Sequence, residues 1–256
     1  MERIITLITD FGLKDNYVGV MKGVIVQISP KTRIIDITHG LTKHDVLEAS
    51  YILKCSYKYF PKQTIHLVVV DPGVGSSRQG IIVESKDGYY FVSPDNGVLS
   101  YISPSKIIRI EDERFFLHPV SNTFHGRDIF SPVAAHIANG TSILEFGPEI
   151  KEMVKLQEIV PDVSPKAIVG EVIYIDHFGN LITNIAKEGF PWENVTIEVK
   201  GSRIKRISQS YAENQDRELL AIFGSGGHLE VSVNKGSAKD FLQAKKGDKV
   251  IVRVKR

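Results

Sequence analysis

The chain has 256 residues, a formal net charge of +2, 42% hydrophobic residues and one cysteine. This length allows one large domain or two smaller ones, each with a real core, and one cysteine excludes an intramolecular disulfide and points to a reducing compartment. The basic residues Lys205, Arg206, Lys245, Lys246 and Lys255–Arg256 are scattered rather than gathered into a stripe, so no nucleic-acid partner is expected. No apolar run approaches about 18 residues, and the opening MERIITLITDFG does not read as a signal peptide; a cytoplasmic protein with no membrane partner is expected.

The first half alternates strand and helix. Residues 3–9 are apolar on both faces, as in a buried parallel strand. Asp15 is placed to cap a helix with an apolar face of Val18, Met21, Val24, Ile25 and Ile28, which Pro30 stops. Residues 33–37 form a second strand. Thr42 and Asp45 form a capping-box pattern for a helix running through Lys54. Residues 65–70 are a third strand, and 81–84 with 89–92 read as a hairpin around Asp87–Gly88. Asp128 is placed to cap a further helix with Pro132 in its first turn and Asn139–Gly140 at its end.

The second half changes character. Pro148, Pro161 and Pro165 mark a linker, and from residue 168 the chain offers only short β runs separated by Gly and Asn turns: 168–175, 181–185, 195–199, 219–223, 229–233 and 249–254. The expected architecture is an α/β domain with a mostly parallel sheet over residues 1–160. An all-β, barrel-like domain follows over residues 167–256.

Two acids end buried strands. Asp10 closes the first and Asp71 the third, so in a parallel sheet both carboxylates reach the same edge, where open α/β sheets build their ligand crevice. Each alone also fits a cap or turn. After Asp71, the run PGVGSS makes a bare turn, and Arg78 follows seven residues later as a fixed positive fork. In TFHGRD, His125 precedes a helix whose dipole favours the neutral ring, which suits a base or hydrogen-bond partner; Arg127 and Asp128 read as an ion pair and a cap. FVSPDNG, residues 91–97, reads as a turn. DHFGNLITN, residues 176–184, sets an acid, an aromatic and an amide around a glycine turn, and GSGG, residues 224–227, can lie against a ligand with its amides exposed.

Taken in order, ITDFGLKDNYVG, VDPGVGSSR, FVSPDNGVL, TFHGRDIF, IDHFGNLITNI and GSGGHLEVSVNKGSA resemble the S-adenosylmethionine (SAM) hydroxide adenosyltransferases, also called (R)-SAM hydrolases, which are relatives of the SAM-dependent fluorinase and chlorinase. The resemblance covers nearly the whole chain. It implies an enzyme that hydrolyses SAM, as its (R)-sulfonium epimer, to adenosine and methionine, with SAM as substrate and neither cofactor nor metal. It also implies a homotrimer whose site lies between the first domain of one subunit and the second domain of the next. Asp71, Arg78 and His125 fall on the catalytic set. Asp10 matches the acid that grips the ribose hydroxyls, Asp15 and Asp176 match residues near the methionine amino group, and Phe178 and Asn180 match adenine contacts. Ser225 and the backbone from Val233 to Lys235 match the segment that closes around the ligand, and Phe11, Tyr17, Tyr211 and Glu230 join the substrate-binding set. Gly126 stands where the fluorinase has a halide-contacting Ser, and Gly226 stands where it has an Arg near the methionine end. Two other readings of the residues are a metal-dependent hydrolase using Asp10, Asp15, Asp71, His125 and Asp128, and a non-enzymatic adenosine or SAM sensor keeping Asp10, Phe178 and Asn180.

Overall fold

Strands β1 (Ile4–Thr9), β2 (Arg33–Thr38), β3 (Ile65–Val69), β4 (Gly80–Ser85), β5 (Tyr90–Pro94) and β6 (Pro104–Arg109) form one sheet in the order β2-β1-β3-β5-β4-β6. This structure, a computed structural model, describes residues 3–157, 160–188 and 192–254, so the Lys255–Arg256 pair lies outside the described residues. The chain divides into two compact units, Met1–Leu156 and Gln157–Arg256.

In the first unit β2, β1, β3 and β5 run parallel, while β4 and β6 are antiparallel to their neighbours. All five residues of β3 are buried, as a parallel strand covered on both faces requires. Ile5, Leu7, Leu67 and Val69 face a cluster built with Met21, Ile25 and Phe130, whereas Ile8, Val68 and Val70 face another built with Leu53, Tyr57 and Phe91. Helices α1 (Tyr17–Ile28) and α3 (Ser131–Ala138) contribute to the first cluster and α2 (Val46–Ser56) to the second. The hairpin forms where expected, with Gly88 at φ +85° in its turn. Strand β6 was not read from the sequence: it begins with Pro104 and lies at the sheet edge, where a missing N–H is tolerated.

Three expected caps differ. Asn16, not Asp15, occupies the cap position of α1, and no side chain bonds there. For α2 the cap is Asp45, which accepts from Glu48 N at 3.0 Å, while the Glu48 carboxylate reaches back to Thr42 N at 3.3 Å. Asp128 is not the cap of α3. It lies inside a π-helical turn, Gly126–Phe130, that precedes the helix, and its carboxylate is spent on Ser121 N and Arg127.

The second unit comprises β7 (Asp162–Ser164), β8 (Ala167–Ile175), β9 (Leu181–Ala186), β10 (Val195–Val199), β11 (Ser202–Ile204), β12 (Ile207–Ser208), β13 (Leu219–Phe223), β14 (His228–Val233), the short helix α4 (Ala238–Leu242) and β15 (Lys249–Val254). Among the described residues the strands join into one barrel-like path, β11-β10-β15-β8-β9-β14-β13-β12, with β7 on β8. Strand β8 turns the corner: residues 167–171 pair with β15, and residues 172–175 pair with β9. Gly170 sits at that bend, where a Cβ would lie 2.4 Å from Ile185 Cγ1, so only glycine permits the close approach. Helix α4 is an addition to the all-β reading; Ser237 caps it by accepting from Asp240 N. No described helix is long and apolar enough to cross a membrane.

Candidate active site

Because β1 and β3 are hydrogen-bonded neighbours with Thr9 opposite Val69, Asp10 and Asp71 leave the sheet at the same edge. Asn96 fixes the end of β3 by donating from its side-chain amide to Val70 O at 2.8 Å, and Asp95 accepts from Val154 N at 2.8 Å. Both residues of that turn are therefore structural.

The turn after Asp71 is closed by Val74 N on Asp71 O and Ser76 N on Gly73 O, with Gly75 at φ +77°. It brings Arg78 back onto Asp71. Arg78 Nε donates to Asp71 Oδ1 at 2.9 Å, and Nη2 bonds Oδ2. The two side chains are only 12% and 5% exposed, so this is a paired, largely desolvated, bidentate contact. The guanidinium lies 5.0 Å from the ring centroid of Phe130. Its Nη2 also sits 2.9 Å from His125 Nδ1.

That last contact assigns the tautomer. A guanidinium has no acceptor, so Nδ1 of His125 accepts and the ring proton of the neutral form is on Nε2. Burial and then the Arg78 charge hold the His125 pKa below its ordinary value, against the opposing charges of Asp71 and Asp128.

Beside this set, Asp10 is 7% exposed and its Oδ2 accepts from His44 N at 2.8 Å. Phe124 packs edge to face on both Phe11 and Tyr17, which are tilted against each other, with centroids 5.2–5.8 Å apart. Phe124 was not singled out from the sequence; its adjacency to His125 was the available signal. Asp15 is exposed in the loop before α1.

The second unit holds a cavity of about 640 Å³. Asp176, Phe178, Asn180, Tyr211, Ser225, Glu230, Val233 and Lys235 all line it. Asp176 is consumed by its own loop, with Oδ1 accepting from Phe178 N and Asn180 N and Oδ2 from Asn180 Nδ2 at 2.8 Å. Gly179 in that loop has φ +82°, and a Cβ there would lie 2.2 Å from Ser237 Oγ. Glu230 carries the less committed carboxylate, 3.4 Å from Tyr211 Oη. Burial and then the Asp176 charge raise its pKa. The carboxylate rests on bare backbone, since a Cβ on Gly224 would fall 1.6 Å from Glu230 Oε1. Phe178 is 72% exposed at the rim, an aromatic face free to meet a planar base. Lys235 pairs its ammonium with Asp216 at 2.9 Å.

Residues 5–147 match the SAM hydroxide adenosyltransferase N-terminal domain, and residues 170–251 match the corresponding C-terminal domain. The chain belongs to the SAM hydroxide adenosyltransferase family. A relative from Methanocaldococcus jannaschii, named (R)-S-adenosyl-L-methionine hydrolase, is 37% identical, with 93% of this chain and 91% of that protein covered. A Thermus thermophilus protein of the same name is 34% identical over 96% of this chain and 97% of its own. A fluorinase from Actinoplanes is 26% identical over 71% of each chain. Among solved structures, a conserved protein from Thermotoga maritima superposes with a TM-score of 0.90 at 38% identity, covering 98% of this chain and 99% of that one.

In this SAM hydroxide adenosyltransferase, Asp71 and His125 each already face a guanidinium, and a metal ion between them would meet that charge directly. Among the described residues no three His, Cys, Asp or Glu side chains are grouped as metal ligands. The same pairing bears on the sensor reading, because holding adenosine requires no such joined, half-buried Asp-Arg-His set.

Proposed function

We propose that this family member hydrolyses (R)-SAM to adenosine and methionine through a water held by Asp71, Arg78 and His125, with SAM as the substrate and no resident cofactor or metal. The observation that carries the mechanism is the Arg78 guanidinium tying Asp71 to His125. Water oxygen attacks ribose C5′ as the C5′–S bond breaks, and the bonding pair leaves on sulfur as the neutral thioether of methionine. The water's proton must go to a base. His125 Nδ1 is turned to Arg78, and Nε2 already carries hydrogen, so His125 acts as donor to the water oxygen, and Asp71 is the acceptor. Arg78 orients both and stays protonated. Most of the rate gain comes from alignment, for which effective-molarity gains reach about 7–11 kcal/mol. The test is chromatography of adenosine after incubation with each resolved sulfonium epimer. Adenosine from the (R) form is expected, and none from either epimer refutes the activity.

Substrate recognition divides in two. Asp10 accepts from the vicinal ribose hydroxyls, with Phe11 and Tyr17 beside it, and Asp15 and Asp176 lie toward the methionine amino group. Phe178 and Asn180 contact adenine, while Tyr211, Glu230, Ser225 and the Val233–Lys235 segment close on the ligand. Charged hydrogen bonds contribute about 1.5–3 kcal/mol each, so Asp10→Ala is expected to raise the adenosine Kd by roughly one to two orders of magnitude in calorimetry. An unchanged Kd refutes the role.

The two groups of ligand contacts are supplied by different subunits of a homotrimer in this reading, in keeping with a cytoplasmic enzyme. Asp71→Asn and Glu230→Ala proteins, each inactive alone, are then expected to recover adenosine release when unfolded and refolded together. Mixed trimers contain sites with both native halves. No recovery in demonstrably mixed trimers refutes the shared site.

The rate is also expected to depend on His125 staying neutral. Burial and the Arg78 charge lower its pKa, so the neutral ring predominates at pH 6.5 and increasingly above it. On lowering the pH further, protonation would place an imidazolium against Arg78 and break the Nδ1 contact. The kcat/KM profile should therefore fall toward acid with a midpoint below pH 6.5; in His125→Asn this acidic limb should change. A native limb centred above pH 6.5 contradicts the assignment.

A further inference from the structure

We infer that Asp128 is a positioning residue that locks His125 and the Asp71–Arg78 turn into one unit, an inference that rests on the hydrolytic reading above. Asp128 is completely buried, although it is charged. Such a carboxylate is tolerated only where its oxygens are paired, and here the partners all belong to the machinery around His125. Oδ1 accepts from Arg127 Nε at 2.5 Å; Oδ2 accepts from Arg127 Nη2 and from Ser121 N, both at 2.8 Å. Its carbonyl takes Leu117 N at 2.8 Å, and its N–H returns to Phe124 O at 3.1 Å. Arg127, held in this way, lies over the Phe124 ring at 5.3 Å.

The Ser121 bond has the longest reach. The next residue, Asn122, places its carbonyl against Gly75, where a Cβ would lie 2.3 Å from Asn122 O. Gly75 sits in the middle of the turn that joins Asp71 to Arg78. One side of Asp128 therefore fixes the turn that begins with His125, and the other fixes the loop that abuts the Asp71–Arg78 turn. The π-helical form of residues Gly126–Phe130 fits this role: the wide turn carries Asp128 inward rather than to a helix cap. Displacements of about 1 Å between reacting groups can reduce rates by about 10²-fold.

The experiment compares native enzyme, Asp128→Ala and Asp128→Asn. Asn keeps an acceptor for Ser121 N; Ala keeps none. Asp128→Ala is expected to lower kcat at least tenfold with the adenosine Kd within threefold of native, and Asp128→Asn is expected to recover at least half of that loss on a logarithmic scale. Folded Asp128→Ala with kcat within threefold of native, or Asn no better than Ala, overturns the inference. Where Asp128→Ala does not fold, Arg127→Met removes the ion pair from a partly exposed position, and an unchanged kcat there overturns it equally. Nitrogen NMR of the His125 ring supplies a readout independent of turnover. The native spectrum is expected to show the single Nε2–H form and Asp128→Ala a mixture, whereas an identical pattern in both refutes positioning. Native protein that keeps this ring signature and releases no adenosine defeats the hydrolytic reading and leaves the positioning one standing.

Discussion

Asp71→Asn is expected to lose roughly two to four orders of magnitude in kcat for adenosine release, the usual effect of removing a general base, while binding adenosine within a few-fold of native. The amide keeps the shape of the side chain. It cannot take the water's proton, and it turns one donor toward a guanidinium that has only donors. Arg78, 12% exposed, is left without its bidentate partner, so part of the loss is disorder of Arg78 itself. Arg78→Lys separates the two effects: a point charge retains the attraction to Asp71 but not the two-pronged geometry or the reach to His125, and an intermediate rate is expected. Measured by chromatography for turnover and calorimetry for adenosine, parallel collapse of rate and binding in Asp71→Asn would make Asp71 a binding group and not a base.

The part of this site carried by strands was legible in the sequence. The apolar runs over residues 4–9 and 65–70 had to be buried on both faces, and the acid ending each run had to emerge at a common edge once the strands were parallel neighbours. Motif resemblance then gathered the cavity-lining residues of the second unit, because their spacing is set by two glycine turns, at Gly179 and in the GSGG loop.

What escaped the sequence depends on turn geometry. The Asp71–Arg78–His125 set came from the motif resemblance, but the turn that returns Arg78 onto Asp71, with Gly75 at φ +77°, is encoded by no periodicity. Asp15 and Asp128 both looked like helix caps because short acids before an apolar run usually are. At Asp15 the helix starts one residue later than that reading requires, and at Asp128 the π-helical turn moves the carboxylate inside. The His125 tautomer was unreadable for the same reason: it follows from one contact with a residue 47 positions away.

Phe130→Ala is expected to lower the unfolding free energy by about 3–5 kcal/mol, the range for removing a buried aromatic ring, and to lower turnover as well. Phe130 is wholly buried in the cluster that also holds Met21, Ile25 and Leu67. The ring is contacted from two sides by the strand-and-turn segment that carries Arg78: a Cβ at Gly80 would lie 2.8 Å from its Cε1, and Arg78 lies over its face. The aromatic face contributes about 0.5–2 kcal/mol to holding a cation, and Leu offers none. Phe130→Leu should therefore separate the two roles. Leu keeps much of the buried volume, and its unfolding free energy should fall by less than in the Ala variant. Its kcat should nevertheless drop several-fold, because Arg78 loses the surface that fixes its plane between Asp71 and His125. Urea unfolding and adenosine release on the same preparations decide the matter. A Phe130→Leu enzyme with reduced stability and native kcat would show that the hydrogen bonds of Arg78 hold it without the ring, and that Phe130 serves the fold only.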